Sequence, residues 1–307
     1  MRRQRRVPGA LCLGAAVLCL WLAARRRPPG PRPCPCPCLR QPGSPWFDAR
    51  FEPAAEPLLA PDASLPASVL RWWSRLQGRG NRTEFEEAKR RLFAVIPAPR
   101  LPDVSPACHT CAVVGNSGNL LGSGHGPAID RHRSVFRMNR APVRGFERDV
   151  GQRTSVLLLY PESARDLPPD ARLLLLPLKS QDLTWAAGAL TTGGLQRTYR
   201  RVRSRIRADK EKALVLSPAF LKYIHDRWVE RQGRYPSTGL VALLFALHTC
   251  DQVSVFGFGA DPHGNWHHYW EKNRHAGAFR RTGVHSATAE AGLIRRLRRE
   301  GKVTVFA

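Results

Sequence analysis

The residues best suited to moving a proton lie near the carboxyl end: His267, His268, His285 and Glu290. Imidazole titrates at about 6.5, so a positioned histidine can act as a general acid or base at neutral pH. A lone histidine is more often structural than catalytic. Three in one region, beside a feature that can hold an anion, point to a site. That feature is Tyr235-Pro236-Ser237-Thr238-Gly239, which opens the apolar run GLVALLFALHTC. A helix starting there would present hydroxyls and unpaired N–H groups to a carboxylate or phosphate. The same residues would serve equally well as a plain N-cap. Two glycine-rich segments complete the set. CAVVGNSGN, from Cys111 to Asn119, reads as a short buried strand ending in a polar turn. Gly257 and Gly259 end a second strand, where missing side chains let a ligand approach the backbone.

These residues need a frame, and the spacing supplies one. Strands are expected at Cys111–Val114, Val135–Met138, Ser155–Tyr160, Leu173–Leu176, Ala213–Leu216, Val253–Phe256 and Val303–Phe306. Helices are expected over Ser68–Gln77, from a Thr83–Glu86 capping box to about Ile96, and over Asp182–Leu190. Others follow from Ser217-Pro218 to about Arg231, from Ser237 to about Cys250, and from about Ser286 to Arg299. The Ser237 helix is apolar on nearly every face, so it should be buried in the middle of the fold. Alternation of strand and helix makes the fold class α/β, with a doubly wound, mostly parallel sheet.

The chain has 307 residues and a net charge of +25, most of the excess being arginine. Nucleic acid is not the expected partner, because the arginines are spread out and no nucleic-acid motif is legible. A solvated cationic surface, or attraction of an anionic substrate, accounts for the charge better. Residues 1–8 form a basic tail and 9–24 an apolar run flanked by arginines, slightly shorter than the roughly 17–25 residues of a usual span. An uncleaved signal anchor is favoured over a cleaved signal peptide. Proline-rich residues 25–66 read as a stem and 67–307 as the lumenal domain. Asn81-Arg82-Thr83 is a glycosylation acceptor if that side is lumenal. Beyond the anchor, Cys34, Cys36, Cys38, Cys108, Cys111 and Cys250 form an even set, which suggests disulfides. A zinc site using Cys108 and Cys111 ranks lower, since paired knuckle spacing is missing.

Taken together, the motifs resemble those of the animal sialyltransferases. Four occur in order: CAVVGNSGN…FRMNRAP…DVG…YPES from Cys111 to about Glu162; YPSTGLVALLFALHTCDQVSVFGFGAD from Tyr235 to Asp261; His267-His268-Tyr269-Trp270-Glu271; and His285 to Glu290. GNWHHYWE, RTGVH and WFDARFE place the resemblance among the beta-galactoside alpha-2,3-sialyltransferases acting on Gal-beta-1,3-GalNAc. It implies a single-domain glycosyltransferase fold, Rossmann-like and a variant of the GT-A type, in a type II Golgi membrane enzyme. It also implies CMP-sialic acid as donor, galactose-terminated glycoprotein or glycolipid acceptors, inversion of the anomeric centre, and no metal or other cofactor. No Asp-x-Asp motif is present to hold a donor cation. By position, Asn116, Asn119 and Asn139 would contact the nucleotide, with Gly257 and Gly259 near the cytidine. Ser237, Thr238 and Gly239 would line the donor–acceptor junction. His267 would lie with the donor, and Tyr199 and His268 would reach its phosphate. Gln77, Tyr235 and Trp266, with Tyr199, would face the galactose. His285 would be the base and His268 the phosphate's hydrogen-bond donor. Cys111 and Cys250, each bordering a motif, are expected to pair, leaving Cys108 for Cys36. An inactive CMP-sugar-binding relative and a basic polyanion-binding lumenal protein are the alternatives, and a homodimer is left open.

Overall fold

Parallel strands buried on both faces must be apolar almost throughout, and the seven apolar runs form such strands. In the computed structural model, residues 43–78, 80–99, 108–260, 266–272 and 283–306 are described. The strands are β1 Thr110–Val114, β2 Ser134–Met138, β3 Val156–Leu159, β4 Arg172–Leu175, β5 Leu214–Val215, β6 Gln252–Phe256 and β7 Thr304–Phe306. All seven belong to one sheet of order β5-β4-β3-β2-β1-β6-β7, with every pair parallel. The chain builds outward from β1 to β5 and returns to β6 on the other side of β1. The crevice beyond the carboxyl ends of β1 and β6 is therefore the topological switch point, where open α/β sheets bind ligands.

The buried helix spans Thr238–Thr249, and every residue from Leu240 to His248 is buried. It packs across β1, β2, β3 and β6. Ser237 caps it, with Oγ accepting from the Leu240 N–H. At its other end Cys250 is bonded to Cys111 of β1, as expected, across 139 positions of sequence. Cys108 is disulfide-bonded as well; its expected partner, Cys36, lies outside the described residues. The Cys111–Cys250 bridge ties the central strand to the helix that opens at the crevice. Replacing both cysteines by alanine is expected to cost about 2–5 kcal/mol, since the open loop regains its entropy in the unfolded chain. Denaturant unfolding of the double variant measures this, and an unchanged midpoint refutes it.

Three expectations shift. The second helix starts earlier, at Arg82–Phe93, and is capped by Asn81 rather than by a Thr83–Glu86 box. Asn81 Oδ1 accepts from the Glu84 N–H and its Nδ2 donates to Glu84 Oε1, at 2.9 Å each. Asparagine is the stronger cap, and its amide serves both partners of Glu84. The first helix ends at Trp73, so Leu76 and Gln77 lie in turns. Residues 43–66, expected as stem, contribute Phe47, Leu58, Leu59 and Leu65 to the core. An extended chain can bury apolar side chains without a regular element: Leu58 bridges Leu216 beside β5. The tail, the anchor and residues 25–42 lie outside the described residues. Among those described, no helix is long and apolar enough to cross a membrane.

Candidate active site

The switch-point crevice opens into a cavity of about 420 Å³, within the usual range of ligand pockets. All four sequence motifs line it. The end of β1 contributes Gly115, Asn116 and Ser117, and the end of β2 contributes Met138 and Asn139. Ser237, Thr238 and Gly239 come from the start of the buried helix. Gly257, Phe258 and Gly259 follow β6, and Trp266, His267, His268, His285 and Glu290 close the remaining wall.

Glycine is required where β1 and β6 end. The Gly115 N–H donates to the Phe256 carbonyl at 2.7 Å, and the Ser117 N–H donates to the Gly257 carbonyl at 3.0 Å. A Cβ on Gly115 would lie 2.2 Å from the Gly257 oxygen. Gly257 itself has φ +67°, with Leu120 packed where its side chain would go. Asn116 then turns into the cavity, and its buried Oδ1 has no hydrogen-bond partner among the described residues. Burying an unmet acceptor is costly, which marks it as a group for a ligand. Asn139 takes the left-handed conformation, φ +57°, and its Oδ1 accepts from Ser163. Asn119 does not line the cavity; its amide is spent on the Ala260 carbonyl at 2.8 Å, bracing the β6 loop.

The helix start is only partly an anion site. Ser237 donates its N–H to Glu290 Oε1 at 2.8 Å and its hydroxyl to Glu290 Oε2 at 2.5 Å. The chain's own carboxyl thus occupies the capping residue, while the N–H groups of Thr238 and Gly239 meet no acceptor among the described residues. Burial pushes the Glu290 carboxyl up to about 7, against the two hydrogen bonds from Ser237. Glu290 therefore locks the last helix, Ala287–Arg299, to the buried one.

His285 sits in the gap between these two helices. Its Nδ1 is 2.8 Å from the Tyr235 carbonyl, and its ring meets the Tyr235 ring edge-on. A carbonyl can only accept, so Nδ1 carries the proton and Nε2 the lone pair of a base. Burial holds its pKa below the ordinary 6.5, with the Tyr235 hydrogen bond opposing. His268 is set differently. It stacks on Trp270 at 4.4 Å, and its Nδ1 donates to Glu271 Oε1 at 2.8 Å. The His267 carbonyl accepts from the Gly118 N–H, which pins this loop to the β1 turn.

Of the four expected acceptor-side residues, Trp266 lines the cavity. Gln77, Tyr235 and Tyr199 stand in an adjoining network. Gln77 Nε2 donates to the Tyr235 hydroxyl at 2.9 Å, and Lys179 Nζ donates to Gln77 Oε1 at 3.1 Å. Lys179 also pairs with Glu162 at 3.1 Å and Asp182 at 2.7 Å, and lies 5.0 Å from the Tyr199 ring centroid. Lys179 and the role of Glu162 escape sequence reasoning, because a lone lysine in PLKSQ carries no signal of burial. Among the described residues, the one group spaced to hold a metal ion is His109 with Cys111 and Cys250, and its two sulfurs are bonded to each other.

The sequence profile of glycosyltransferase family 29 (sialyltransferase) matches residues 59–302. The chain belongs to this family. It is 51% identical over 267 residues to mouse (Mus musculus) CMP-N-acetylneuraminate-beta-galactosamide-alpha-2,3-sialyltransferase 2, covering 86% of this chain and 76% of that one. It is 47% identical over 267 residues to human (Homo sapiens) CMP-N-acetylneuraminate-beta-galactosamide-alpha-2,3-sialyltransferase 1, covering 86% and 78%. A crystal structure of a mammalian sialyltransferase in complex with Gal-beta-1-3GalNAc-ortho-nitrophenol superposes with a TM-score of 0.81 at 43% identity, covering 89% of this chain and 99% of that one. This sialyltransferase thus carries the expected α/β fold, and its four motifs meet at one cavity.

Proposed function

We propose that the protein transfers sialic acid from CMP-sialic acid to O3 of the terminal galactose in Gal-beta-1,3-GalNAc, with inversion and without a metal. The observation that carries this reading is the cavity lined by all four motifs, with a half-buried histidine at its wall whose Nδ1 is held by the Tyr235 carbonyl and whose pKa burial lowers. The names of the relatives supply the donor and linkage, and the ligand of the solved neighbour supplies the disaccharide.

In this reading the nucleotide lies over the ends of β1 and β6, where Gly115, Gly257 and Gly259 leave room. Asn116 Oδ1 accepts from its exchangeable hydrogens, and Asn139 borders it. The N–H groups of Thr238 and Gly239 face the donor's negative charge. His285 takes the proton from the galactose hydroxyl through Nε2 as the new bond forms. As the phosphate departs it gains negative charge, and hydrogen bonds offset that charge in place of a metal. His268 donates one of them through Nε2 when its ring carries both protons, Nδ1–H being held by Glu271. Trp266, with Gln77 and Tyr235 behind it, faces the galactose. Residues 1–8, 9–24 and 25–42 would be the cytoplasmic tail, signal anchor and stem of a single-pass type II Golgi enzyme.

Transfer from CMP-sialic acid is tested on Gal-beta-1,3-GalNAc and Gal-beta-1,4-GlcNAc glycosides, with and without chelator. A higher kcat/KM on the beta-1,3 acceptor is expected, unchanged by chelation. Equal or better use of the beta-1,4 acceptor overturns the acceptor assignment, and loss of activity on chelation overturns the metal-free mechanism.

A further inference from the structure

The segment 197–207, RTYRRVRSRIR, holds six arginines, and the transfer reaction uses none of them. It leaves the surface directly beside the cavity. The turn Pro161–Ser163 is the hinge of this placement: Ser163 Oγ donates to Asn139, and Tyr160 lines the cavity. Glu162 of the same turn accepts from the Thr198 hydroxyl and from Lys179. Tyr199 is thereby held beside the Gln77–Tyr235 network, with Lys179 and Arg200 both near its ring. Arg140 joins the rim, donating to the Glu162 carbonyl.

Two arginines of the segment are answered, Arg203 and Arg207 by Asp166. Arg197, Arg200, Arg201 and Arg205 are exposed, and among the described residues no carboxylate pairs with them. Four unneutralised guanidiniums within nine residues of one segment, Arg197, Arg200 and Arg201 flanking Tyr199, repel one another, so the arrangement favours a partner that brings negative charge. Guanidinium forks match carboxylates in geometry as well as charge.

We infer that this arginine rim binds the aglycone of the acceptor, and that the enzyme favours the disaccharide when it is carried on an acidic peptide. The inference rests on the transferase reading above. A glycan entering the cavity by its galactose leaves its reducing end, and so its peptide, outside at the rim. A membrane surface fits less well. Insertion into a bilayer interface needs exposed apolar side chains beside the basic ones, and among the described residues of this segment the large exposed apolar group is Tyr199, flanked by cations.

The test uses the full chain and one disaccharide in three forms: as a simple glycoside, on a neutral peptide, and on the same peptide with flanking Asp and Glu. At low salt, kcat/KM on the acidic glycopeptide is expected to exceed that on the neutral one by about tenfold or more. The ratio should fall toward one as salt screens the rim. The triple variant R197Q/R201Q/R205Q is expected to lose the ratio while keeping its kcat/KM on the simple glycoside and its KM for the donor. Equal use of the two glycopeptides at low salt, or a triple variant that keeps the ratio, overturns the inference. Retention on an immobilised acidic peptide without sugar is measured in parallel, with loss in the triple variant expected. That arm decides the inference even if the simple glycoside is no substrate, which would overturn the transferase reading instead. Arginine-dependent binding to phosphatidylserine vesicles without any peptide preference assigns the rim to a membrane and also overturns it.

Discussion

His285→Ala is expected to lower kcat by about 10²–10⁴-fold while leaving CMP affinity nearly unchanged. The galactose hydroxyl is a poor nucleophile until its proton is removed, and His285 lines the cavity in the tautomer able to remove it. Its Nδ1–H is committed to the Tyr235 carbonyl, so the lone pair is on Nε2. Burial lowers its pKa from 6.5, which keeps the imidazole neutral at neutral pH. The sign of the pH dependence follows. Protonation abolishes the base, so kcat falls as pH drops through the depressed pKa, below 6.5. Stability follows the same direction. In that window the unfolded chain binds more protons at this position, so acid weakens the fold. A pH–rate profile of wild type and variant checks the assignment, with CMP affinity measured by calorimetry. The variant should be slow at every pH and should lack the acid limb. A variant with near-native kcat moves the base elsewhere, to His267 first.

The seven strands are legible because a parallel sheet covered by helices demands apolar side chains on both faces, and few other segments of this chain meet that demand. The Thr238–Thr249 helix is legible for the same reason. What escapes is contact between distant polar groups. Glu290 lies in HSATAE with no sign that it will reach Ser237, 53 positions earlier. The anion site read at Ser237 is for that reason half occupied by the chain itself. Asn119 looks equivalent to Asn116 in GNSGN, yet one amide braces Ala260 and the other faces the cavity with its Oδ1 unmet among the described residues. Arg137, a charge within the apolar strand β2, is buried there, and its guanidinium donates to the carbonyls of Val150, Gly151 and Arg153. That burial lowers its pKa to about 10. Proline density at 43–66 rules out long elements, but it does not rule out burial, and Phe47, Leu58 and Leu59 are in the core.

Gly115→Ala is expected to cost about 1–3 kcal/mol of stability or somewhat more, and to weaken CMP binding or turnover by about 10²-fold. The added methyl group would sit 2.2 Å from the Gly257 oxygen and 2.9 Å from both its carbonyl carbon and the Phe258 ring. Relief requires the β1 and β6 ends to part by about 1 Å, since carbon and oxygen in contact stand more than 3 Å apart. Neither end can move alone. The Gly115 N–H is bonded to Phe256 and the Ser117 N–H to Gly257, and Leu120 fills the space behind Gly257. The displaced residues line the floor of the cavity, where the proposed nucleotide site lies, so the damage should reach function as well as folding. Gly118→Ala is the control three residues on. A Cβ there meets the His267 carbonyl at 3.5 Å, an ordinary contact, and its backbone is not left-handed. That variant should bind CMP and unfold much as the wild type does. Thermal unfolding and CMP titration of both variants separate the outcomes. If Gly115→Ala matches Gly118→Ala in both, the close approach of β1 and β6 does not hold the nucleotide site.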